Sequence, residues 1–182
     1  MLSNLAFKRI ENLALDIIAQ SKITKPPIPV DQVAQKAGVV VTELEIGEDI
    51  SGMLVISEGG AVIGINSIDV AYRKRFAIAH ELGHFFLHKD KNQLFLDKDF
   101  LVKWRNPNSN SNYTAEEVVQ EQEANAFAAS LLIPKSYIEI AMATRQFKNL
   151  NENDLFTELA KLFAVSIPAI AFRMTNINYY YV

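Results

Sequence analysis

His80 and His84 stand four residues apart, and Glu81 directly follows the first of them. On an α-helix, positions i and i+4 share a face, so two imidazoles at this spacing can reach one ion. Zinc takes neutral imidazole nitrogen at about 2.0–2.1 Å and, where it is catalytic, keeps a coordination position open. A glutamate beside that position is placed to act as general base toward water. The pattern H-E-x-x-H is the signature of zinc-dependent peptide-bond hydrolysis. Its flanks, from Arg75 to His88, are apolar and helical in pattern, and Gly83 leaves room for a close neighbour. The bland alternative is a pair of partly buried histidines satisfied by hydrogen bonds.

Two histidines do not complete a site, because a third protein ligand is needed. His88 is the nearest candidate, but on a straight helix it lies about 12 Å along the axis from His80, too far for one ion to bind both. A histidine at a helix C-terminus, favoured by the dipole, is the simpler reading of His88. Asp97 and Asp99 follow the motif helix and stay open as ligands. Glu116 and Glu117 fall in the first turn of a helix that Thr114 caps, which explains them fully. Glu121 and Glu123 lie deeper. Glu123 is favoured, because the small residues from Ala124 to Ser130 let this helix pack closely on another. A carboxylate buried at such a contact needs a counter-charge, which a divalent cation supplies.

On this reading His80, His84 and Glu123 hold zinc, and Glu81 handles the proton of the attacking water. Asn125 could orient a ligand from behind, although a helix-surface amide is an equal alternative. Tyr113 and Tyr137 flank the Glu123 helix and are available to stabilise an oxyanion, but tyrosines there more often pack.

The elements that must position these residues read as follows. A helical stripe from Leu5 to Ile18 ends near Gln20 and Ser21. After a proline-rich connector, Asp31 can cap a short helix over Gln32–Lys36, which Gly38 ends. Val39–Leu44 is β-rich, and Gly52–Ser57 and Ala61–Asn66 flank a Gly-Gly turn as a hairpin. Ser67 can cap the motif helix, with Asp69 in its first turn. Leu94–Trp104 has room for one or two short strands, and Arg105–Tyr113 reads as a loop. The capping box Thr114–Glu117 opens a helix that Pro134 stops. Further helices are expected over Ser136–Ala143, Asp154–Phe163 and about Ile167–Arg173.

The 182 residues, 49% of them hydrophobic, suit one domain with at most a small appendage. A net charge of −3 gives no basic footprint for nucleic acid. The absence of cysteine excludes a disulfide scaffold, a thiolate zinc site and a cysteine nucleophile. Lys8, Arg9, Glu11 and Asp16 interrupt the N-terminal stretch too often for a signal peptide, and no uncharged run is long enough to span a membrane. A soluble cytoplasmic protein is expected.

Ser51-Gly-Met-Leu54, Asn66-Ser67, the segment Arg75–His88 and the segment Glu123–Pro134 occur in that order. This combination resembles the ImmA/IrrE family of metallopeptidases over roughly residues 30–135, and loosely to about 173. The resemblance implies an α+β fold with a zincin-like core. A small three-stranded, mostly antiparallel sheet would pack on helices that include the motif helix. It implies zinc ligands at His80, His84 and Glu123, with Glu81 as catalytic base. Residues 1–145 would form the metallopeptidase unit and 146–182 a small helical, helix-turn-helix-like subdomain. The implied activity is site-specific cleavage of a helix-turn-helix transcriptional repressor in a mobile element, phage or stress response. Enzymes of zincin type commonly hold the peptide as an added strand, for which either Gly52–Ser57 or Ala61–Asn66 could be the edge.

A competing function comes from the tail. Leu159–Arg173 has the cadence of a helix-turn-helix, which makes a DNA-binding or non-catalytic regulator the alternative. After Ser166, however, Arg173 is almost the only side chain there suited to phosphate, and direct nucleic-acid binding is not expected.

Overall fold

Ser3 accepts a hydrogen bond from the Ala6 amide and opens α1 (Asn4–Gln20), which buries Ile10, Ala14, Ile17 and Ile18. The structure, a computed structural model, describes residues 2–47, 49–90, 94–98, 114–144, 147 and 150–177. After α1 come α2 (Val30–Lys36), β1 (Val39–Leu44), β2 (Ile50–Ser57), β3 (Gly60–Asn66), α3 (Ala71–His88) and β4 (Leu94–Lys98). Four more helices follow: α4 (Ala115–Leu132), α5 (Lys135–Met142), α6 (Glu152–Phe163) and α7 (Ile167–Asn176). The expected readings of 99–104 as strand and 105–113 as loop, together with Asp99 and Tyr113, lie outside the described residues.

The three expected strands form, and β4 extends the sheet to the order β1-β3-β2-β4. Only β1 with β3 is parallel; β2 pairs antiparallel with both β3 and β4. The register aligns Val41, Ile63 and Leu54 across the sheet, and one step on Val39, Ala61 and Ile56. These residues face the helices, as the period of two requires. Neither of the two strands proposed as a substrate edge is one. Both β2 and β3 are flanked on each side, and among the described residues the outer strands are β1 and β4.

Two helix starts differ from expectation. Pro29, not Asp31, occupies the cap of α2, and Asp31 sits in its first turn. The cap of α3 is Val70, not Ser67. Residues 67–69 instead make a turn: the Ser67 amide donates to Leu44 O and the Asp69 amide to Asn66 O. Asn66 secures this turn, donating from Nδ2 to Gly47 O at 2.6 Å and Ile50 O at 2.9 Å. One helical turn further, Arg73 Nε donates to Ser51 Oγ at 3.0 Å. The start of β2 is thereby tied to the start of α3.

The sheet covers one side of α3, and α4 packs on another, with α1 behind α4. Thr114 and Glu117 complete the expected capping box of α4. At the α3–α4 contact a Cβ added to Gly83 would lie 2.9 Å from Ala124 Cα and 3.0 Å from Ala124 O. The two backbones can meet this closely only because residue 83 has no side chain. Gly83→Ala should therefore cost about 1–3 kcal/mol despite the better helix propensity of alanine. Thermal unfolding checks this, and an unchanged or raised midpoint would contradict the contact.

Helices α6 and α7 join through Ala164 in the left-handed region and bend by 103°, within the range of a helix-turn-helix. Arg75 reaches this junction and donates to Ala164 O at 3.1 Å. Leu155, Leu159, Phe163, Ile170 and Met174 belong to the same hydrophobic cluster as Ile10, Leu82 and Phe127. Arg173 points inward. It is fully buried, donates to Ile133 O at 2.9 Å and pairs with Glu11. The one side chain that the sequence offered to DNA phosphates is used inside the fold. Among the described residues, no single helix is long and apolar enough to cross a membrane.

Candidate metal centre

Helix α3 carries His80, His84 and His88 on one stripe, and all three are buried. His80 Nε2 and His84 Nε2 are 3.0 Å apart. A carboxylate from α4 closes the group: Glu121 Oε2 lies 3.4 Å from His80 Nε2, and its Oε1 lies 3.3 Å from His84 Nε2. Tetrahedral ligands at about 2.0–2.1 Å from an ion are about 3.3 Å from one another. The two distances to Glu121 oxygens are close to that figure, and the two imidazole nitrogens are somewhat nearer together. Two imidazole nitrogens and one oxygen form a donor set suited to zinc, and three protein ligands leave room for a fourth.

The third member is Glu121, whereas the sequence reading favoured Glu123. Helix phase supplies the reason. Ala124 faces Gly83 at the contact, and Glu121 and Asn125 flank it on one side. At 3.6 residues per turn, Glu121 is about 40° around the helix from Asn125, while Glu123 is about 160° away. Glu123 leaves on the other flank, where its Oε2 meets His88 Nε2 at 2.9 Å. Nearness to the contact did not say which of its sides faces His80 and His84, and both glutamates are only partly buried.

Asn125 has the orienting place that the sequence allowed it: its Oδ1 lies 2.8 Å from His80 Nδ1. A proton on Nδ1 satisfies that contact and leaves Nε2 bare toward His84 and Glu121. Phe76 stacks beside the His80 ring, with centroids 6.3 Å apart. His88 stays out of the cluster, as its distance along the helix requires, and touches His84 through their Nδ1 atoms. Tyr137 donates to Ile23 O at 2.8 Å and serves packing. The backbone of Asp97 pairs opposite Gly52 in β4.

Glu81 is fully buried between α3 and the sheet. A Cβ added to Gly52 of β2 would come within 3.1 Å of Glu81 Oε1 and 3.3 Å of Ala77 Cβ. Gly52 thus makes the space that the carboxylate fills, a role its place in a strand did not reveal.

The family described as the IrrE N-terminal-like domain, Peptidase_M78, matches residues 34–175. The chain belongs to this family. It is a metallopeptidase family, and the fold agrees with it. A solved structure described as a Mycobacterium tuberculosis transcriptional regulator is similar over 92% of this chain, with a TM-score of 0.62 and 17% identity. The chain spans 46% of that protein's length, and the likeness is one of fold. No curated protein matches the chain.

Electrostatics favour the state in which such residues bind a cation. Burial pushes the His84 imidazole from 6.5 down to about 4, with Glu121 opposing and His80 and His88 assisting. Burial alone would raise the Glu121 carboxyl, but hydrogen bonds and charge from His80 and His84 outweigh it and hold the group well below the usual carboxylate range. At neutral pH the imidazole is neutral and the carboxylate ionised, the charge states that metal ligation requires.

The sign for stability follows. Unfolded His84 takes up its proton near 6.5, whereas the folded form resists until about 4, so acid favours the unfolded chain. The metal-free protein should lose about 3 kcal/mol from this group as pH falls from 6.5 toward 4. Glu121 adds a loss of the same sign below about 4.5. Denaturant titrations across that window measure it, and a flat profile would contradict the burial of a neutral His84.

Proposed function

We propose that this chain is a zinc-dependent endopeptidase whose ion is held by His80, His84 and Glu121 and whose substrate is a helix-turn-helix transcriptional repressor. One observation carries the catalytic part: two imidazole nitrogens and a carboxylate converge, and the residue after His80 on the same helix is a fully buried carboxylate, Glu81. Zinc bound there would supply Lewis-acid polarisation of a peptide carbonyl and a lowered pKa for water. Glu81 takes the proton from the attacking water and returns it to the leaving amine. The Glu81 carboxylate lies against Gly52, where a side chain would crowd it. Asn125 holds the His80 ring in one orientation.

The peptide would lie along β4. Among the described residues this strand is an outer one, and its neighbour β2 carries Gly52 against Glu81. The other outer strand, β1, is separated from β2 by β3. Backbone pairing on β4 supplies affinity with little demand on side chains, so the target's identity must be read elsewhere on the surface.

The repressor as substrate, in a mobile element, phage or stress response, is supported by the ImmA/IrrE resemblance. The test is capture with Glu81→Gln in cells of the source organism, followed by mass spectrometry of what is bound. A repressor that the wild-type protein cuts, and the zinc-stripped protein does not, is the expected result. Bound DNA without a protein partner, or a captured partner that wild type leaves intact, would overturn the reading.

A further inference from the structure

His84 and His88 are one turn apart on α3, and both are buried. Their Nδ1 atoms are 3.3 Å apart, and His88 Nε2 is 2.9 Å from Glu123 Oε2. A neutral imidazole has one N–H and one bare nitrogen. His84 turns Nε2 toward His80 and Glu121, so in the proposed site Nε2 is bare and the proton sits on Nδ1. The acceptor set opposite that N–H is His88 Nδ1, which must then be bare as well. The proton of His88 accordingly sits on Nε2, the atom that meets the Glu123 carboxylate. Each donor in this ladder faces an acceptor, with no charged imidazole required.

We propose that Glu123 and His88 are positioning residues. Together they fix the tautomer and ring orientation of His84, as Asn125 does for His80. The proposal deepens the metallopeptidase reading and rests on it. The two histidine ligands would then have unlike supports: an amide oxygen behind His80, and a carboxylate acting through an imidazole behind His84. A carboxylate behind a ligating imidazole raises its basicity as well as orienting it. The ladder also explains why Glu123, a carboxylate that the ion does not need as a ligand, sits next to the α3–α4 contact.

Two measurements test it. The first needs no substitution: the ¹⁵N-histidine spectrum of the zinc-loaded wild-type protein reads each tautomer. His84 should carry its proton on Nδ1 and His88 on Nε2; a proton on His88 Nδ1 would overturn the relay. The second is zinc affinity by chelator competition, with the visible spectrum of the cobalt-substituted protein recorded alongside. His88→Leu and Glu123→Leu should each weaken binding by about 10–100-fold and shift the cobalt bands. His88→Asn, whose amide oxygen can stand where Nδ1 does, should recover most of the loss. A folded His88→Leu with wild-type affinity and an unchanged cobalt spectrum would overturn the relay while leaving the metal site intact. A wild-type protein whose His80 and His84 resonances ignore zinc would overturn the metallopeptidase reading, and the relay with it.

Discussion

Glu81→Gln is expected to lower peptide cleavage by about 10²–10⁴-fold while leaving zinc affinity within a few-fold of wild type. The substitution keeps shape and volume and removes only the ability to accept and return a proton. The side chain is fully buried with Gly52 against its carboxylate, so the isosteric glutamine finds the same space. Zinc should be retained because Glu81 is outside the His80, His84 and Glu121 group. Cleavage of the captured partner, measured with the zinc content of the same preparation, separates the two quantities. Turnover at the wild-type rate would assign the base elsewhere. Loss of zinc together with turnover would make Glu81 a ligand or a support of the site.

The second large effect distinguishes two glutamates on one helix. Glu121→Ala should reduce zinc affinity by more than the ~10–100-fold expected when an outer partner is removed. Glu123→Ala should fall within that smaller range, since its path to the ion runs through His88 and His84. Both side chains are partly exposed, at 30% and 28%, so exposure does not separate them; only direction around α4 does. Chelator competition on the two variants measures the difference. A larger loss in Glu123→Ala would return the third position to Glu123.

These outcomes also mark what the residues alone could reveal. The motif helix, the two histidines and the neighbouring glutamate were legible because helical spacing determines which side chains share a face. The capping box at Thr114 and the stop at Pro134 delimited the partner helix with equal clarity. The choice between Glu121 and Glu123 was not legible, because the small residues told that α4 packs closely but not on which flank the imidazoles lie. Asn125 held the missing clue. Once it is placed behind His80, the residue one turn earlier on the same flank is Glu121.

His88 lies outside the His80, His84 and Glu121 group, yet its i+4 step from His84 already placed those two imidazoles in reach of each other. Gly52 was hidden for a different reason: a glycine in a strand does not announce the buried carboxylate it makes room for. The sheet edges escaped because a hairpin fixes the pairing of its own two strands and says nothing of what joins outside. Here β1 adds to β3 and β4 to β2, which makes both hairpin strands internal to the sheet. The two tail helices meet at 103°, and Arg173, which the cadence placed toward DNA, turns inward to Glu11 and Ile133.

The most direct measurement is a crystal structure of the zinc-soaked wild-type protein with data collected at the zinc absorption edge. One anomalous peak per chain, bounded by His80 Nε2, His84 Nε2 and a Glu121 oxygen, is the predicted result. A peak beside His88 and Glu123, or no peak between the two motif histidines, would contradict the account.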